Sequence, residues 1–411
     1  MNTTTAQAHA RLQDLPSAAP AAARTVFALL KNLQHGTLDL QMPDGTQARF
    51  GSGLADQPKA ALRLIDWQVC TAALKSGDIG FAESFIDGHW STPDLAALLR
   101  LFIANRDAME SVIYGTWWGS LAYRLKHLLH RNSRSGSKKN IHAHYDIGNP
   151  FYRLWLDETM NYSSALFEGD FSRPSVQAQT AKVRRALQEC GVQQGERVLE
   201  IGCGWGALAE EATTGLGARV TGVTLSTEQL EFAKARMQRL GVADRADLRL
   251  QDYRDIADGP YDAVASIEMF EAVGREYWAS YFQTVHRQLK AGGRACIQTI
   301  TIRDDLFERY VKSTDFIQQY IFPGGLLPSP KAFRAEARKA GLEVVNELAF
   351  GPDYAETLRR WRADFLARDG QVRQLGFDTR FMRIWEFYLA YCEAAFDTGN
   401  TDVIQFTLRK P

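Results

Sequence analysis

The sequence carries no surplus charge of either sign and little cysteine, and each shortage narrows what the chain does. Its 48 Lys and Arg are matched by 48 Asp and Glu, a formal net charge of zero. No global field draws such a chain to nucleic acid, so a charged partner must be met by a local patch. Five cysteines (Cys70, Cys190, Cys203, Cys296, Cys392) lie far apart and form no CxxC pair. That spacing argues for reduced thiols in a cytoplasmic protein, with neither a disulfide framework nor zinc. No window holds about 18 uncharged apolar residues, so nothing reads as a membrane span. Met1 to Pro20 is rich in Ala and Thr and lacks the charged-then-apolar order of a signal peptide. There is no internal repeat.

What is present is an ordinary globular composition, 45% hydrophobic and 23% charged over 411 residues. That length suits two domains. Residues 1–20 are expected to be a disordered tail. Residues 21–130 are expected to be a small mixed domain. His35 to Ser52 reads as short strands around a Pro43-Asp44-Gly45 turn. Ala60 to Ser76 and Pro93 to Ala104 read as helices, with Gly77-Asp78 and Asp87-Gly88 as punctuation. Residues 131–140 (RNSRSGSKKN) are a basic linker without an apolar residue. Residues 141–411 form the longer domain. Apolar strands expected at Arg197–Ile201, Arg219–Thr224, Asp247–Leu250, Tyr261–Ile267 and Arg294–Ile300 alternate with amphipathic helices, which predicts a parallel α/β sheet.

The clearest motif is Val198-Leu199-Glu200-Ile201-Gly202-Cys203-Gly204-Trp205-Gly206, a buried strand that runs into a glycine turn and then a helix, Ala207 to Thr214. Glycines let the backbone turn tightly and approach a ligand without a Cβ in the way. Amides at the helix start face that ligand. The string also fits a dinucleotide fingerprint, so a nicotinamide or flavin oxidoreductase is the competing reading. A nicotinamide site wants an acid about 20 residues on to hold the ribose, and Gly222-Val223-Thr224-Leu225-Ser226 has none. Glu200, just before the turn, instead suits the methionine ammonium of S-adenosylmethionine. Asp252 and Tyr253 follow the third expected strand, where a carboxylate meets an adenine amine and an aromatic covers the ring. A solvated loop is the bland alternative there.

Further strings follow in order: Gly80-Phe81-Ala82-Glu83-Ser84-Phe85-Ile86-Asp87-Gly88, His144-Tyr145-Asp146-Ile147-Gly148-Asn149-Pro150, Met160-Asn161-Tyr162-Ser163-Ser164-Ala165, Met269-Phe270-Glu271-x-Val273-Gly274, Tyr320-Ile321-Phe322-Pro323-Gly324-Gly325 and Asp353-Tyr354. With the glycine turn, they resemble the cyclopropane fatty acid synthases and the related mycolic acid methyltransferases over roughly residues 60–410. The resemblance implies an α/β fold: a class I, Rossmann-like S-adenosylmethionine-dependent methyltransferase core with a small N-terminal α+β lipid-binding domain. Carried over by position, it implies that Tyr162, Ser163, Gly202 and Gly204 meet the methionine end of the cofactor, with Gly206 closing the turn. Thr224 and Gln229 would hold the ribose, Asp252 and Tyr253 would flank the adenine, and Ile267 would pack beside the sulfonium.

The implied reaction is methyl transfer to the double bond of an unsaturated phospholipid acyl chain. It leaves a carbocation, and a base must then remove a proton to close a cyclopropane. Water must be excluded, and aromatic faces stabilise the cation. Tyr145, Phe151, Tyr152, Tyr162, Phe167, Phe270, Tyr320, Phe322 and Tyr354 are candidates for the lining, with core packing as the competing reading for each. In the family the base is a bound bicarbonate. By resemblance, Glu271, Ile300 and Tyr354 match its usual cage, while Ser164 stands at a cysteine position and Gln298 at a histidine position. Glu271 is expected to organise the anion, with Tyr354 and Gln298 as its partners. An amide donates to an anion but carries no charge, so the cage is expected to hold bicarbonate less strongly. A relative that loses a different proton would leave a methylene- or methyl-branched chain without a ring.

From Ser111 to Tyr145 there is no acidic residue, while Arg124, Lys126, Arg131, Arg134, Lys138 and Lys139 follow Trp117 and Trp118. Such a stretch suits an anionic membrane surface, which places the protein peripherally on the inner face of the membrane. A solvated linker is the bland reading, and no motif supports nucleic acid. A non-catalytic lipid-transfer protein is the alternative of a different class. A homodimer is the candidate assembly, and no metal site is expected.

Overall fold

The computed structural model describes residues 19–54, 57–106 and 147–411. The expected tail up to residue 18, the basic linker, the tryptophan-flanked basic stretch and Tyr145 lie outside the described residues. Contacts divide the chain into two compact units.

The described residues of the first unit are 19–54 and 57–106, with Ser313–Gln319 and Asp378–Thr398. Strands β1 (Thr37–Gln41) and β2 (Gln47–Gly51) form the hairpin around Asp44-Gly45. Lys59–Leu64, expected as the start of a helix, is strand β3, parallel to β1. Ala60, Leu62 and Leu64 are its buried positions. The alternation is therefore two-residue, and sheet pairing outweighs the helix propensity of Ala and Leu. Helix α1 (Ala21–Leu30) precedes the sheet. Helix α2 (Gln68–Ile86) begins later than expected and is interrupted at Gly77, whose φ of 61° is open to glycine. Strand β4 (Trp90–Ser91) closes the order β2-β1-β3-β4. Helix α3 (Leu95–Ala104) is capped by Asp94, which accepts from the Ala97 amide at 3.0 Å. The expectation placed everything after residue 141 in one domain. In the structure the helix Thr379–Asp397 packs on α2 and α3 of this unit, with Arg100 bonded to Glu393 and Asp397.

The second unit is a seven-stranded sheet of order β10-β11-β9-β8-β5-β6-β7. Its strands are β5 (Arg197–Ile201), β6 (Arg219–Thr224), β7 (Ala246–Leu250), β8 (Tyr261–Ile267), β9 (Leu289–Ile302), β10 (Glu343–Ala349) and β11 (Thr401–Arg409). The strands from β5 to β9 pair in parallel, and β11 runs antiparallel between β9 and β10. All five expected strands are present, the last as part of a longer β9. Alternate residues feed two cores. On β5, Val198 joins a cluster with Val183, Leu187 and Leu208, while Leu199 and Ile201 join Phe270, Phe282 and Phe333 on the other face. Helices therefore cover both faces, as a parallel sheet requires. Chief among them are α4 (Ser175–Cys190), α5 (Ala207–Glu210), α6 (Thr227–Arg239), α7 (Trp278–Gln288), α8 (Pro330–Lys339) and α9 (Gly351–Ala367). The expected helix from Ala207 to Thr214 is α5 followed by a wider turn, Glu211–Gly215. The strand order reverses between β5 and β8, where open α/β sheets bind ligands at the carboxyl ends of their strands.

Candidate active site

At the end of β5, Gly202, Gly204 and Gly206 adopt φ of 86°, 48° and 83°, left-handed values that favour glycine. The Gly202 and Cys203 amides donate to the Val223 carbonyl at 2.9 and 3.0 Å, pinning the turn to β6. A Cβ at Gly204 would meet nothing within 4 Å, so this backbone faces open space. A cavity there is lined by Tyr162, Ser163, Glu200, Gly202, Gly204, Thr224, Gln229, Asp252, Tyr253 and Ile267. These are the expected cofactor residues except Gly206, which is not part of the lining. A Cβ there would meet that of Ala233 at 3.0 Å, so this glycine serves the packing of α6.

The lining has the chemistry of the expected ligand. Glu200 is buried, and its Oε2 has no hydrogen-bond partner among the described residues. Burial pushes its carboxyl well above the usual range, opposed by the charge of Arg236. An unpaired buried oxygen is costly, and a ligand ammonium would relieve that cost. Thr224 donates to Gln229 Oε1 at 3.1 Å, and Ser226 caps α6 by accepting from the Gln229 amide. Asp252 accepts from Arg254 Nε at 2.8 Å and Nη2 at 2.5 Å. The Arg254 guanidinium lies 5.6 Å from the Tyr253 ring centre and 5.4 Å from that of Tyr277. Arginine thus orients both residues expected at the adenine.

Of the aromatic candidates, Phe151, Tyr152, Phe167 and Phe270 are fully buried. Phe270 packs with Trp278, Tyr281, Phe282 and Phe333 as core. Tyr162 lines the cavity and meets Tyr152, Trp155, Trp361 and Phe322 at 5.4–6.5 Å between ring centres.

The expected anion cage is assembled differently. Its donors converge on Glu268, a residue that the sequence reading passed over. Glu268 Oε1 accepts from the Ser164 amide at 2.8 Å and from Gln298 Nε2 at 2.7 Å, and its Oε2 accepts from the Tyr354 hydroxyl at 2.6 Å. Ser164 contributes backbone only, because its hydroxyl donates to the Ala165 carbonyl. Glu271 does not partner Tyr354 or Gln298. Its Oε1 accepts from the Ile300 amide at 2.5 Å, and its Oε2 has no partner among the described residues. The Ile300 amide therefore serves Glu271 and not Glu268. The φ of Glu268 is 48°, a left-handed conformation costing a side-chain-bearing residue about 1–2 kcal/mol.

One further group completes the centre. Lys182 on α4 is fully buried and donates to Ser163 Oγ and to Asn161 Oδ1. Burial lowers its ammonium to about 8, while Glu268 and Asp157 oppose the fall. Burial raises Glu268, opposed by Lys182 and then by the Tyr354 hydroxyl. Burial and the neighbouring Glu268 push Glu271 up to about 8. Three donors and the neighbouring Lys182 favour the charged form of Glu268, while Glu271 has the single Ile300 donor. One signal for Glu268 was available: an acidic residue ends the apolar strand Tyr261–Ile267, the strand end at which α/β sheets place function.

A strand-end glycine turn, an unpaired buried carboxylate before it and a polar ribose-and-adenine lining on this sheet define an S-adenosylmethionine-dependent methyltransferase. The family profile described as mycolic acid cyclopropane synthetase matches residues 132–406. A tuberculostearic acid methyltransferase of Mycobacterium tuberculosis is 39% identical over 402 residues, 96% of this chain and 92% of the relative. The cyclopropane-fatty-acyl-phospholipid synthase of Escherichia coli is 31% identical over 87% of this chain and 90% of its own. A crystal structure of a mycolic acid cyclopropane synthase complexed with S-adenosylhomocysteine (SAH) and CTAB superposes with a TM-score of 0.62 at 34% identity, over 66% of this chain and 98% of that one. The chain belongs to the mycolic acid cyclopropane synthetase family and is a methyltransferase.

Proposed function

We propose that this enzyme methylates the double bond of an unsaturated phospholipid acyl chain and leaves a methylene or methyl branch instead of a ring. The observation that carries the reading is the Glu268 carboxylate, bonded to the Ser164 amide, Gln298 and Tyr354. These are donors expected to hold bicarbonate. With Glu268 already accepting from these three donors, none of them is left to hold a second anion. The protein's own side chain then removes the proton. The tuberculostearic acid methyltransferase relative, similar over nearly the whole chain, supports the branched product.

S-adenosylmethionine, when bound, supplies an electrophilic methyl. Glu200 would face its ammonium, and the open backbone of Gly204 would admit its methionine end. When the methyl–carbon bond forms, the sulfur–methyl bond breaks and the neighbouring acyl carbon becomes cationic. Glu268 accepts a proton from the methyl-bearing carbon, whose C–H electron pair re-forms the double bond beside a methyl branch, or, once a hydride shift has moved the cation to that carbon, from the new methyl, whose C–H electron pair becomes the double bond of a methylene branch. Tyr162 and its aromatic neighbours help keep water from the cation.

The small first unit is proposed to bind lipid. The basic, tryptophan-flanked segment from Trp117 to Lys139 is proposed to hold the enzyme on an anionic membrane surface. No helix among the described residues is long and apolar enough to cross a membrane. Replacing Arg131, Arg134, Lys138 and Lys139 by Gln should weaken sedimentation with anionic vesicles by about 1 kcal/mol per charge. Unchanged sedimentation would end the surface reading.

The product is tested by mass spectrometry of lipids from cells expressing the enzyme, resolving ring from branch, with labelled S-adenosylmethionine to follow the methyl. Branched product formed without dependence on bicarbonate supports the reading. Cyclopropane lipids formed in a bicarbonate-dependent way overturn it.

A further inference from the structure

Gln298 and Gln405 face each other across the β9–β11 pair, and both side chains are fully buried. An amide side chain has one accepting end and one donating end, and nothing in its shape decides which end points where. Here the neighbours decide. Arg185 on α4 places Nη1 2.5 Å from Gln405 Oε1. A guanidinium only donates, so the end of Gln405 that meets it must be the carbonyl. The NH2 of Gln405 is thereby turned inward, to Gln298 Oε1 at 3.0 Å and the Lys182 carbonyl at 3.1 Å. With its own carbonyl engaged, Gln298 presents its NH2 to Glu268 Oε1 at 2.7 Å. The outer end of the chain is anchored too. Arg185 lies 3.2 Å from Glu189, which accepts from Thr407 Oγ1 at 2.8 Å.

We propose that Arg185 and Gln405 are positioning residues that lock Gln298 with its donor toward Glu268, so that Glu268 stays an ionised base in a buried site. This rests on the reading of Glu268 as the base. Each link polarises the next, so a charge near the edge of the unit sets the donor direction at its centre. The groups facing Glu268 are Lys182 on α4, Glu271 in the turn after β8, Tyr354 on α9 and Gln298 on β9. Gln298 is the only one of these four whose hydrogen-bonding sense reverses by rotating an amide.

The test is the pH profile of turnover. Gln405→Glu keeps the shape and the Arg185 contact but has no NH2 to give. Gln298 then turns its own NH2 toward the introduced carboxylate and its carbonyl toward Glu268. Glu268 should hold its proton to higher pH, moving the acidic limb up by about one to two pH units. Cofactor affinity measured by calorimetry should stay unchanged. In a Gln298→Leu background the same substitution should add nothing, which separates action through Gln298 from a general packing effect. Arg185→Met should move the limb in the same direction by less, and Arg185→Lys, which keeps a donor, should restore it. The Arg185 pair carries the test if Gln405→Glu does not fold. An acidic limb that stays in place in folded Gln405→Glu, or shifts equally in the Gln298→Leu background, overturns the relay. Glu268→Gln distinguishes the two readings: if it retains full turnover the base assignment itself fails, whereas an inactive Glu268→Gln beside an unmoved Gln405→Glu removes only the relay.

Discussion

The cavity proposed for the cofactor and the centre proposed for deprotonation lie on the same sheet but are built in opposite ways. The cavity is made mostly by short contiguous strings at strand ends: Glu200 to Gly204 after β5, Thr224 to Gln229 after β6, and Asp252 to Arg254 after β7. The centre draws single residues from segments far apart in the chain: Ser164, Lys182, Glu268, Gln298, Tyr354 and Gln405. A contiguous string must satisfy backbone geometry, and that requirement selects residue types that can be recognised, glycine above all. A convergent cage only requires that each side chain donate or accept, and several residue types do that equally well.

The sharpest way to break this comparison is at Glu268. Glu268→Gln keeps shape and removes the base. Turnover measured at saturating cofactor should fall by about 10²–10⁴-fold. A variant within a few-fold of the parent would place the base elsewhere. Gly204→Val attacks the other region. A branched side chain enters the open space before the turn, at a φ of 48° that disfavours it. Cofactor affinity should fall by about tenfold or more, because the side chain fills the open space that the cavity offers there, while the sheet stays folded by circular dichroism. Unchanged affinity in a folded variant would displace the methionine end from this turn. The smallest effect is expected at Glu271. Its carboxyl is pushed up to about 8, so it is protonated near neutrality, where Gln resembles it. Glu271→Gln should change turnover by less than about tenfold. A steep loss would return Glu271 to the role of organising anion that its motif suggested.

The pH dependence has a definite sign. Burial raises Glu268 above the usual glutamate range, and the base works only when ionised. Turnover should therefore rise with pH through an acidic limb displaced upward from that of an exposed carboxylate. A limb at the ordinary glutamate position would mean that Glu268 is solvated during the reaction.

Most of the α/β core was legible in advance. The apolar runs at Arg197–Ile201, Arg219–Thr224 and Tyr261–Ile267 are strands with those bounds. Burial on both faces makes such runs continuous and short. Lys59–Leu64 was misread because a short stretch of Ala and Leu suits either period, and its pairing with β1 decided the matter. The glycine turn, Glu200 and the residues after β6 and β7 were readable because each is tied to a strand end. Glu268, on which the donors converge, was not, because the adjoining Met269-Phe270-Glu271 motif drew attention to Glu271.

The sequence alone therefore determined the methyltransferase core, the strings that line one cavity and the family, because periodicity and backbone-demanding residues are local properties of a chain. Only the tertiary structure decided which glutamate gathers the donors and which way Gln298 points. It also decided that the helix Thr379–Asp397 belongs with the N-terminal sheet. Those outcomes depend on burial and on donors arriving from distant segments, and neither has a sequence spacing by which to be recognised.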